Sequence, residues 1–349
     1  MSNPLNKPTA KTNKGQPLVS ILIPCRNEEK YIGKSLDSVI ANTYPKEKIE
    51  IFIIDGSSED GTRDIIRDYA EKYPFISLLD NEEKIVPTAL NKAIEKVKGE
   101  IVIRLDAHNI YDKNYISKCV ECLDKYNADN VGGIWVTRPG STTTIAKTIA
   151  IALSHPFGVG NSTYRLDTKK PRLVDTVPFG CYRKDVFDRI GGFNKFLVRN
   201  QDIEFNLRLK KAGGKILLVP EIVSYYHARS NLQDLAKQNF WNGYWVVYST
   251  KFAKLPFSIR HFIPFVFVVS VLGSLALSTW ISTFIIISGI VLGSYLIANI
   301  YITIRLSLKK GMKYFLFLPL TFLTLHFSYG LGSLWGLRKI AVSKFNFKF

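Results

Sequence analysis

Cysteine and methionine are scarce in this 349-residue chain, and acid is outnumbered by base: four Cys, two Met, and 29 Asp plus Glu against 47 Lys plus Arg. Cys119 and Cys122 form a lone C-x-x-C inside a helical pattern. A structural zinc would need a second ligand pair at suitable spacing, and none is present, so the thiols are read as buried or inert in a reducing compartment. Residues Met1 to Pro17 lack the apolar stretch of a signal peptide; they are polar and rich in Asn, Lys, Pro and Thr. They are read as a disordered tail, with the domain that follows staying in the cytoplasm. Also missing are a helix-turn-helix pattern and an RNA-binding signature. The net charge of +18 is therefore not assigned to nucleic acid. It favours other anions, acidic lipid or phosphorylated ligands.

Composition changes sharply near Pro256. Before it, apolar runs are short and separated by charged helices. After it come three apolar stretches, Phe262 to Leu277, Ile281 to Ile304 and Tyr314 to Leu337. A membrane span needs about 20 apolar residues. The second stretch meets that length, the first falls short unless Ser278 to Trp280 extend it, and the third is interrupted by Pro319, His326 and several glycines. Basic residues flank the first two: Lys251, Lys254 and Arg260 before, Arg305, Lys309, Lys310 and Lys313 after. A hairpin of two spans would place both clusters in the cytoplasm. The third stretch has basic residues at both ends, Arg338, Lys339, Lys344 and Lys348 following it, which leaves a crossing, a re-entrant path and an interfacial path open. The expected organisation is a tail (1–17), a cytoplasmic α/β domain (18–255) and a membrane domain (256–349) with two to three transmembrane or re-entrant segments.

In the first half, strands are expected at Val19 to Ile23, Ile51 to Ile54, Phe75 to Leu79 and Ile101 to Leu105. Helices are expected at Glu29 to Ala41, Asp60 to Tyr73 and Thr88 to Val97. Such alternation implies a mixed, mostly parallel sheet with helices on both faces, whose ligands bind beyond the carboxyl ends of the strands. Polar groups collect at those ends: Pro24–Cys25–Arg26–Asn27–Glu28, then Asp55–Gly56–Ser57–Ser58–Glu59–Asp60–Gly61–Thr62, then Asp106–Ala107–His108. Each cluster alone is also a plausible turn or helix cap. Their coincidence on one edge favours a shared ligand site. In an extended segment, Asp106 and His108 point the same way. They are either two ligands of one metal ion or the polar end of a strand. A carboxylate with an imidazole suits Mn²⁺ better than Mg²⁺, because imidazole is the softer ligand. Such an ion would neutralise a departing diphosphate.

The stretches "VSILIPCRNEE", "IDGSSEDGT" and "RLDAH" resemble the nucleotide-sugar half of family 2 glycosyltransferases of the GT-A fold, the last as a variant of that family's D-x-D. "VPTALNKAI", "HPFGVGNSTYR", "VDTVPFGCYRKDVF" and "IGGFNKFLVRNQDIEFNLRLKKAG" resemble more closely the membrane-associated, succinoglycan-type exopolysaccharide glucosyltransferases. The resemblance covers about Leu18 to Lys251 and rests on many motifs in order. It implies that Pro24, Arg26 and Glu28 line a uridine pocket, that Asp55 binds base or ribose, and that Asp106 and His108 hold a divalent metal, Mn²⁺ or Mg²⁺, with the diphosphate. The family's second acid in "DDGS" is Gly56 here, which removes one polar contact.

The resemblance also makes Asp202 the catalytic base. That role suits the chemistry, since a sugar hydroxyl is a poor nucleophile until its proton is taken. Glu204 is the runner-up, two residues on and pointing elsewhere on a helix. His227 and Arg229 are candidates for the UDP phosphates or a lipid diphosphate. Trp241 and Trp245, four apart on one helical face, would stack on sugar or sit at a membrane interface. "SHPFGVGNSTYR" suits a mobile loop over the acceptor. The expected activity is inverting transfer of a sugar, glucose by resemblance, from a UDP-sugar to a polyprenyl-diphosphate-linked acceptor in exopolysaccharide or cell-surface glycan synthesis. It would occur at the inner membrane of a multi-pass protein whose catalytic domain faces the cytoplasm. Partners would be membrane lipids and no nucleic acid. The alternatives are a polyprenyl-phosphate sugar synthase and a non-catalytic nucleotide-binding membrane scaffold.

Overall fold

The computed structural model describes residues 15–166, 168–252 and 259–345. The expected boundary at 255–256, the tail through residue 14, and Lys254 and Lys348 lie outside them. Two compact units emerge. One comprises the described residues through Val136 and those from Thr168 through Tyr226; the other comprises Thr137–Leu166 and the described residues from His227 onward.

The first unit opens with β1 (Val19–Cys25), α1 (Ile32–Ile40), β2 (Ile49–Asp55), α2 (Thr62–Lys72), β3 (Ile76–Asp80), α3 (Val86–Ile94) and β4 (Ile101–Arg104). β1 is buried at all seven positions and β2 at six of seven, as strands covered on both faces must be. β3, β2, β1 and β4 lie side by side and all pair in parallel. Their carboxyl ends therefore share one edge. α1 begins three residues later than its spacing suggests. Just before it, the Glu28 and Glu29 backbone N–H groups donate to Thr62 Oγ1 (2.7 Å) and Asp60 Oδ2 (3.3 Å) of the next loop.

Beyond β4 the sheet changes character. β5 (Ile110–Tyr111), α4 (Tyr115–Lys125) and β6 (Asn130–Arg138) follow. The chain then contributes α5 (Thr144–Ala152) and α6 (Pro156–Val159) to the second unit before β7 (Arg172–Leu173), β8 (Cys181–Arg183), α7 (Asp185–Ile190), α8 (Gln201–Lys211) and β9 (Ile216–His227). The nine strands form one sheet in the order β3-β2-β1-β4-β8-β6-β9-β5, with β7 also on β9. The sheet is thus mixed: its first four strands pair in parallel, whereas β8 pairs antiparallel to β4 and β6, and β5 and β7 antiparallel to β9. Crossover helices between adjacent strands enforce parallel pairing. No such helix joins β4 to its neighbour β8, and strands of two or three residues carry no periodicity from which direction could be read. All four cysteines are buried free thiols of this unit.

The second unit is helical: α5 and α6, then α9 (Leu232–Tyr248), α10 (Ile259–Leu277), α11 (Thr283–Lys310) and α12 (Phe317–Phe345). α9 starts at Asn231, whose side chain accepts from the Asp234 N–H (2.8 Å). Among the described residues one helix, α11, is long and apolar enough to cross a membrane; the described apolar part of α10, His261–Leu277, is shorter. α12 is one continuous helix rather than a re-entrant turn. The polarity of α11 is reversed relative to a soluble core helix. Ser288, Asn299, Thr303 and Ser307 are buried, while Ile285, Ile286, Ile290, Ile297, Tyr301 and Leu308 are exposed. Two of these bond across helices: Ser288 with Ser274 of α10 (2.5 Å), and Asn299 Nδ2 to the Pro319 carbonyl of α12 (3.1 Å).

α9 and α12 approach through glycine. A Cβ on Gly332 would overlap the Phe240 carbonyl, and one on Gly243 the Tyr329 carbonyl. Small residues allow such close helix contact. "HPFGVG" is also anchored, contrary to a mobile loop. His326 of α12 bonds the Phe157 carbonyl (2.7 Å) and the Tyr295 hydroxyl of α11 (3.0 Å), and the Phe157 ring meets Phe322 edge-on (5.0 Å). Gly332→Val is expected to cost about 1–3 kcal/mol by overpacking, read as a lower thermal unfolding midpoint in detergent. Gly273→Ala in α10, with no atom within 4 Å of the new Cβ, is expected to cost nothing. Equal losses would contradict the glycine contact.

Candidate active site

The loops after β1 and β2 are stitched together. Asn27 occupies the left-handed region (φ 55°) that its short side chain tolerates. Its N–H donates to Ser58 Oγ and its Oδ1 accepts from the Glu59 N–H, both at 2.9 Å. Gly56 donates its N–H to the Cys25 carbonyl (2.8 Å), and a Cβ there would crowd Arg26 Cβ at 3.3 Å. An acid in that position would have to push Arg26 aside. Arg26 itself is exposed and lies 3.6 Å from Glu59.

Pro24 and Asp55 are buried within this arrangement. The Asp55 carboxylate is fully covered. It accepts from the Ser58 N–H (3.1 Å), the Ser58 hydroxyl (2.5 Å) and Arg63 Nη1 (2.9 Å). A buried carboxylate is tolerable when it is paired and hydrogen-bonded in this way. Arg63 also holds Asp80 at the end of β3 (2.6 Å).

At the end of β4, Arg104 bonds Asp106 Oδ1 (2.5 Å), while the second Asp106 oxygen makes no hydrogen bond. The Asp106 N–H donates to the Tyr111 hydroxyl (2.7 Å), and that hydroxyl donates to the Asp106 carbonyl (3.0 Å), so the D-A-H turn is closed on itself. His108 Nδ1 lies 2.9 Å from Glu28 Oε1, which ties the third cluster to the first. Burial disfavours a cation at His108, but the hydrogen bond to Glu28 and the charges of Asp106 and Glu28 outweigh it, so its pKa is raised.

Asp202 sits in the first turn of α8, its Oδ1 accepting from the Ile203 N–H (2.9 Å). Burial raises its pKa, the Arg104 cation opposes that rise, and the Asp106 charge adds to it. Asp202 therefore lies within electrostatic reach of the Arg104–Asp106 pair. Glu204 has a different setting. It is buried and grips Arg208 through both oxygens (2.7 and 3.0 Å), and Arg208 in turn donates to the Ile190 and Gly192 carbonyls.

Arg104, with the aromatic floor beneath it, went unassigned from sequence. Its guanidinium lies over the Phe179 ring, 5.7 Å from the centroid. Phe179 has φ 50°, a costly conformation for a bulky residue. Its ring packs against Tyr111 (5.6 Å) and Trp135 (5.4 Å). A charged residue ending a buried strand two positions before Asp106 of the D-A-H stretch was the available signal. Among the expected residues, the structure joins Glu28 to His108 and sets Asp106 near Asp202; Pro24 and Asp55 lie beneath the loops. His227, Arg229, Trp241 and Trp245 belong to the second unit. There His227 is exposed, Arg229 Nε donates to Gln238 Oε1 (3.4 Å), and Trp241 packs edge-on to Tyr244 (5.3 Å), as does Trp245 (5.5 Å).

Among the described residues no three His, Cys, Asp or Glu side chains converge as a metal cage. The Asp106 and His108 donors still fit a divalent ion that takes its remaining ligands from a bound diphosphate. One carboxylate oxygen and one imidazole nitrogen make no hydrogen bond, and the ring is 45% exposed.

Comparison with known proteins agrees with this arrangement. The sequence profile described as glycosyl transferase family 2 matches residues 20–191. The chain is 31% identical over 322 residues to a Methanococcus voltae protein named dolichyl N-acetyl-alpha-D-glucosaminyl phosphate 3-beta-D-2,3-diacetamido-2,3-dideoxy-beta-D-glucuronosyltransferase, covering 89% of this chain and 95% of that one. It is 30% identical over 225 residues to the succinoglycan biosynthesis protein ExoA of Rhizobium meliloti, covering 64% and 67%. A solved mannosyltransferase, PcManGT from Pyrobaculum calidifontis in complex with GDP-Man and Mn²⁺, shares the fold with a TM-score of 0.59 at 19% identity, over 95% of this chain and 92% of that one.

Proposed function

The chain belongs to glycosyl transferase family 2, and from that premise we propose that it moves a sugar from a UDP-sugar to a lipid-linked saccharide by a single inverting displacement, with Asp202 as the base. The observation that carries this reading is the setting of Asp202. It lies on α8, within electrostatic reach of the Arg104–Asp106 pair at the end of β4, with its pKa raised by burial. A base poised nearer to neutral pH takes a hydroxyl proton more effectively during attack. Glu204 is engaged with Arg208 and serves the fold instead.

Roles for the other residues follow. Exposed Arg26 meets the nucleotide, while Pro24 and Asp55 shape the uridine-binding loops from beneath, Asp55 by fixing the Ser58 turn. A divalent ion, Mn²⁺ or Mg²⁺, held by Asp106 and His108 would supply positive charge to the departing diphosphate. Arg104 fixes the Asp106 carboxylate and favours the ionised form of Asp202. His227 and Arg229 are assigned to phosphate groups, and Trp241 and Trp245 to sugar or the membrane interface.

The membrane assignment rests on the reversed polarity of α11. A face of exposed isoleucines with buried serine, asparagine and threonine suits lipid as solvent. We place α10 and α11 as a hairpin across the inner membrane, with Lys251, Lys309, Lys310 and Lys313 on the cytoplasmic side, where each near-surface cation gains about 1 kcal/mol from anionic lipid. The relatives support the acceptor class: one is named for transfer to a dolichyl-phosphate-linked sugar, the other for succinoglycan synthesis. On this reading the donor is a UDP-hexose, glucose being the first to assay, and the acceptor a sugar on a polyprenyl diphosphate. A lipid phosphate acceptor, as in polyprenyl-phosphate sugar synthases, would carry no hydroxyl proton for Asp202 to remove.

Asp202→Asn is expected to lower turnover about 10²–10⁴-fold with UDP affinity unchanged, whereas Glu204→Gln lowers stability and keeps turnover per folded molecule. Retained activity in the Asp202 variant would remove the base assignment. Arg104→Met is expected to move the acidic limb of the kcat–pH profile to higher pH. Loss of the cation lets burial and Asp106 raise the Asp202 pKa further, and activity is lost as pH falls through it. An unmoved limb would contradict this coupling.

A further inference from the structure

The Glu28–His108 hydrogen bond joins the loop after β1 to the loop after β4, 80 residues apart. Its consequence lies in the two nitrogens of imidazole. Which nitrogen is free for a ligand is set by the bond the other one makes. An ionised carboxylate only accepts, so beside Glu28 the Nδ1 atom carries the proton. In the neutral ring the lone pair then sits on Nε2, which makes no hydrogen bond. Glu28 is well placed to fix that state. Its side chain is 20% exposed, against 45% for His108, and its backbone N–H is pinned to Thr62 Oγ1 at 2.7 Å. Two residues before His108, Asp106 has one oxygen held by Arg104 and the other unbonded. A carboxylate behind an imidazole, with the far nitrogen free, is the arrangement that orients histidine ligands and raises their basicity.

We infer that Glu28 is a positioning residue for a metal centre. It holds His108 in the Nδ1–H tautomer, so that Nε2 and the free oxygen of Asp106 receive one divalent cation of the Mn²⁺ class. This rests on the reading of Asp106 and His108 in the proposed function, but it gives Glu28 a task other than lining the uridine pocket. Because the loop that carries Glu28 is stitched to the loop after β2, the tautomer of His108 also depends on the nucleotide-binding loops being in place.

The test uses the full chain in lipid nanodiscs and Mn²⁺ as the probe. Free Mn²⁺ is followed by electron paramagnetic resonance, with and without UDP, for wild type, His108→Ala and Glu28→Gln. The amide introduced by Glu28→Gln can turn to donate to Nδ1 and so admit the other tautomer. The expected result is measurable binding by wild type, loss in His108→Ala, and a 10–100-fold weaker affinity in Glu28→Gln. Glu28→Gln binding Mn²⁺ as well as wild type, while His108→Ala does not, would overturn the role of Glu28 and leave the metal reading standing. No Mn²⁺ binding by folded wild type, even with UDP, would overturn both. Should Glu28→Gln fail to fold, ¹⁵N shifts of the His108 ring in metal-free wild type, at a pH where it is neutral, decide the matter. A protonated Nδ1 is expected, and a protonated Nε2 would overturn the inference.

Discussion

The buried guanidinium of Arg104 is the point on which the candidate site depends. It ends β4 in the run of parallel strands, bonds Asp106 directly, and lies within electrostatic reach of Asp202 on α8, between β8 and β9 in the chain. Burial alone would lower its pKa, yet the charges of Asp106 and Asp202 raise it. An unpaired cation in such a place would be untenable. So would two carboxylates sharing the region with no cation between them, since each would push the other toward protonation. The aromatic floor of Phe179, Tyr111 and Trp135 fits the same pattern, and backbone strain at Phe179 is tolerated where it places a ring under the cation.

Around that point the fold is a means of bringing loop ends together. Parallel pairing of β3, β2, β1 and β4 sets three polar clusters on one edge. Side-chain-to-backbone hydrogen bonds among Asn27, Ser58, Asp60 and Thr62 then lock two of them into a single surface. The Glu28–His108 bond connects the third. The second unit solves a different problem. On α11, Ser288 and Asn299 turn inward and bond neighbouring helices, while isoleucines turn outward, a distribution that suits hydrocarbon as solvent.

Much of this was legible as residue pattern. The buried runs of β1, β2 and β4 and the apolar faces of α1 to α3 lie close to where periodicity put them, and the three polar clusters stand at strand ends as read. What could not be read depends on partners distant in sequence. The residues just before α1 bond the neighbouring loop through the Glu28 and Glu29 N–H groups. The strands that pair antiparallel to their longer neighbours, β5, β7 and β8, have two or three residues, too few for a periodic signal. Arg104 looked like the flank of a motif, and its meaning comes from Asp202, on an element the chain reaches only after building α5 and α6 elsewhere. Glu28 and His108 were each singled out, but nothing in either stretch announces their hydrogen bond. Burial of Asp55 likewise follows from Arg63 and Ser58 closing over it.

The central claim is a direct displacement driven by Asp202, and the anomeric configuration of the product tests it most directly. Purified protein would be given an α-linked UDP-sugar and a lipid-linked saccharide, and the coupling constant of the new anomeric proton read by NMR. The account predicts a β-linked product, because attack opposite the departing UDP inverts the centre in one step. An α-linked product would contradict it, requiring either a two-step route or attack from the side of the leaving group, and would leave Asp202 without the task assigned to it.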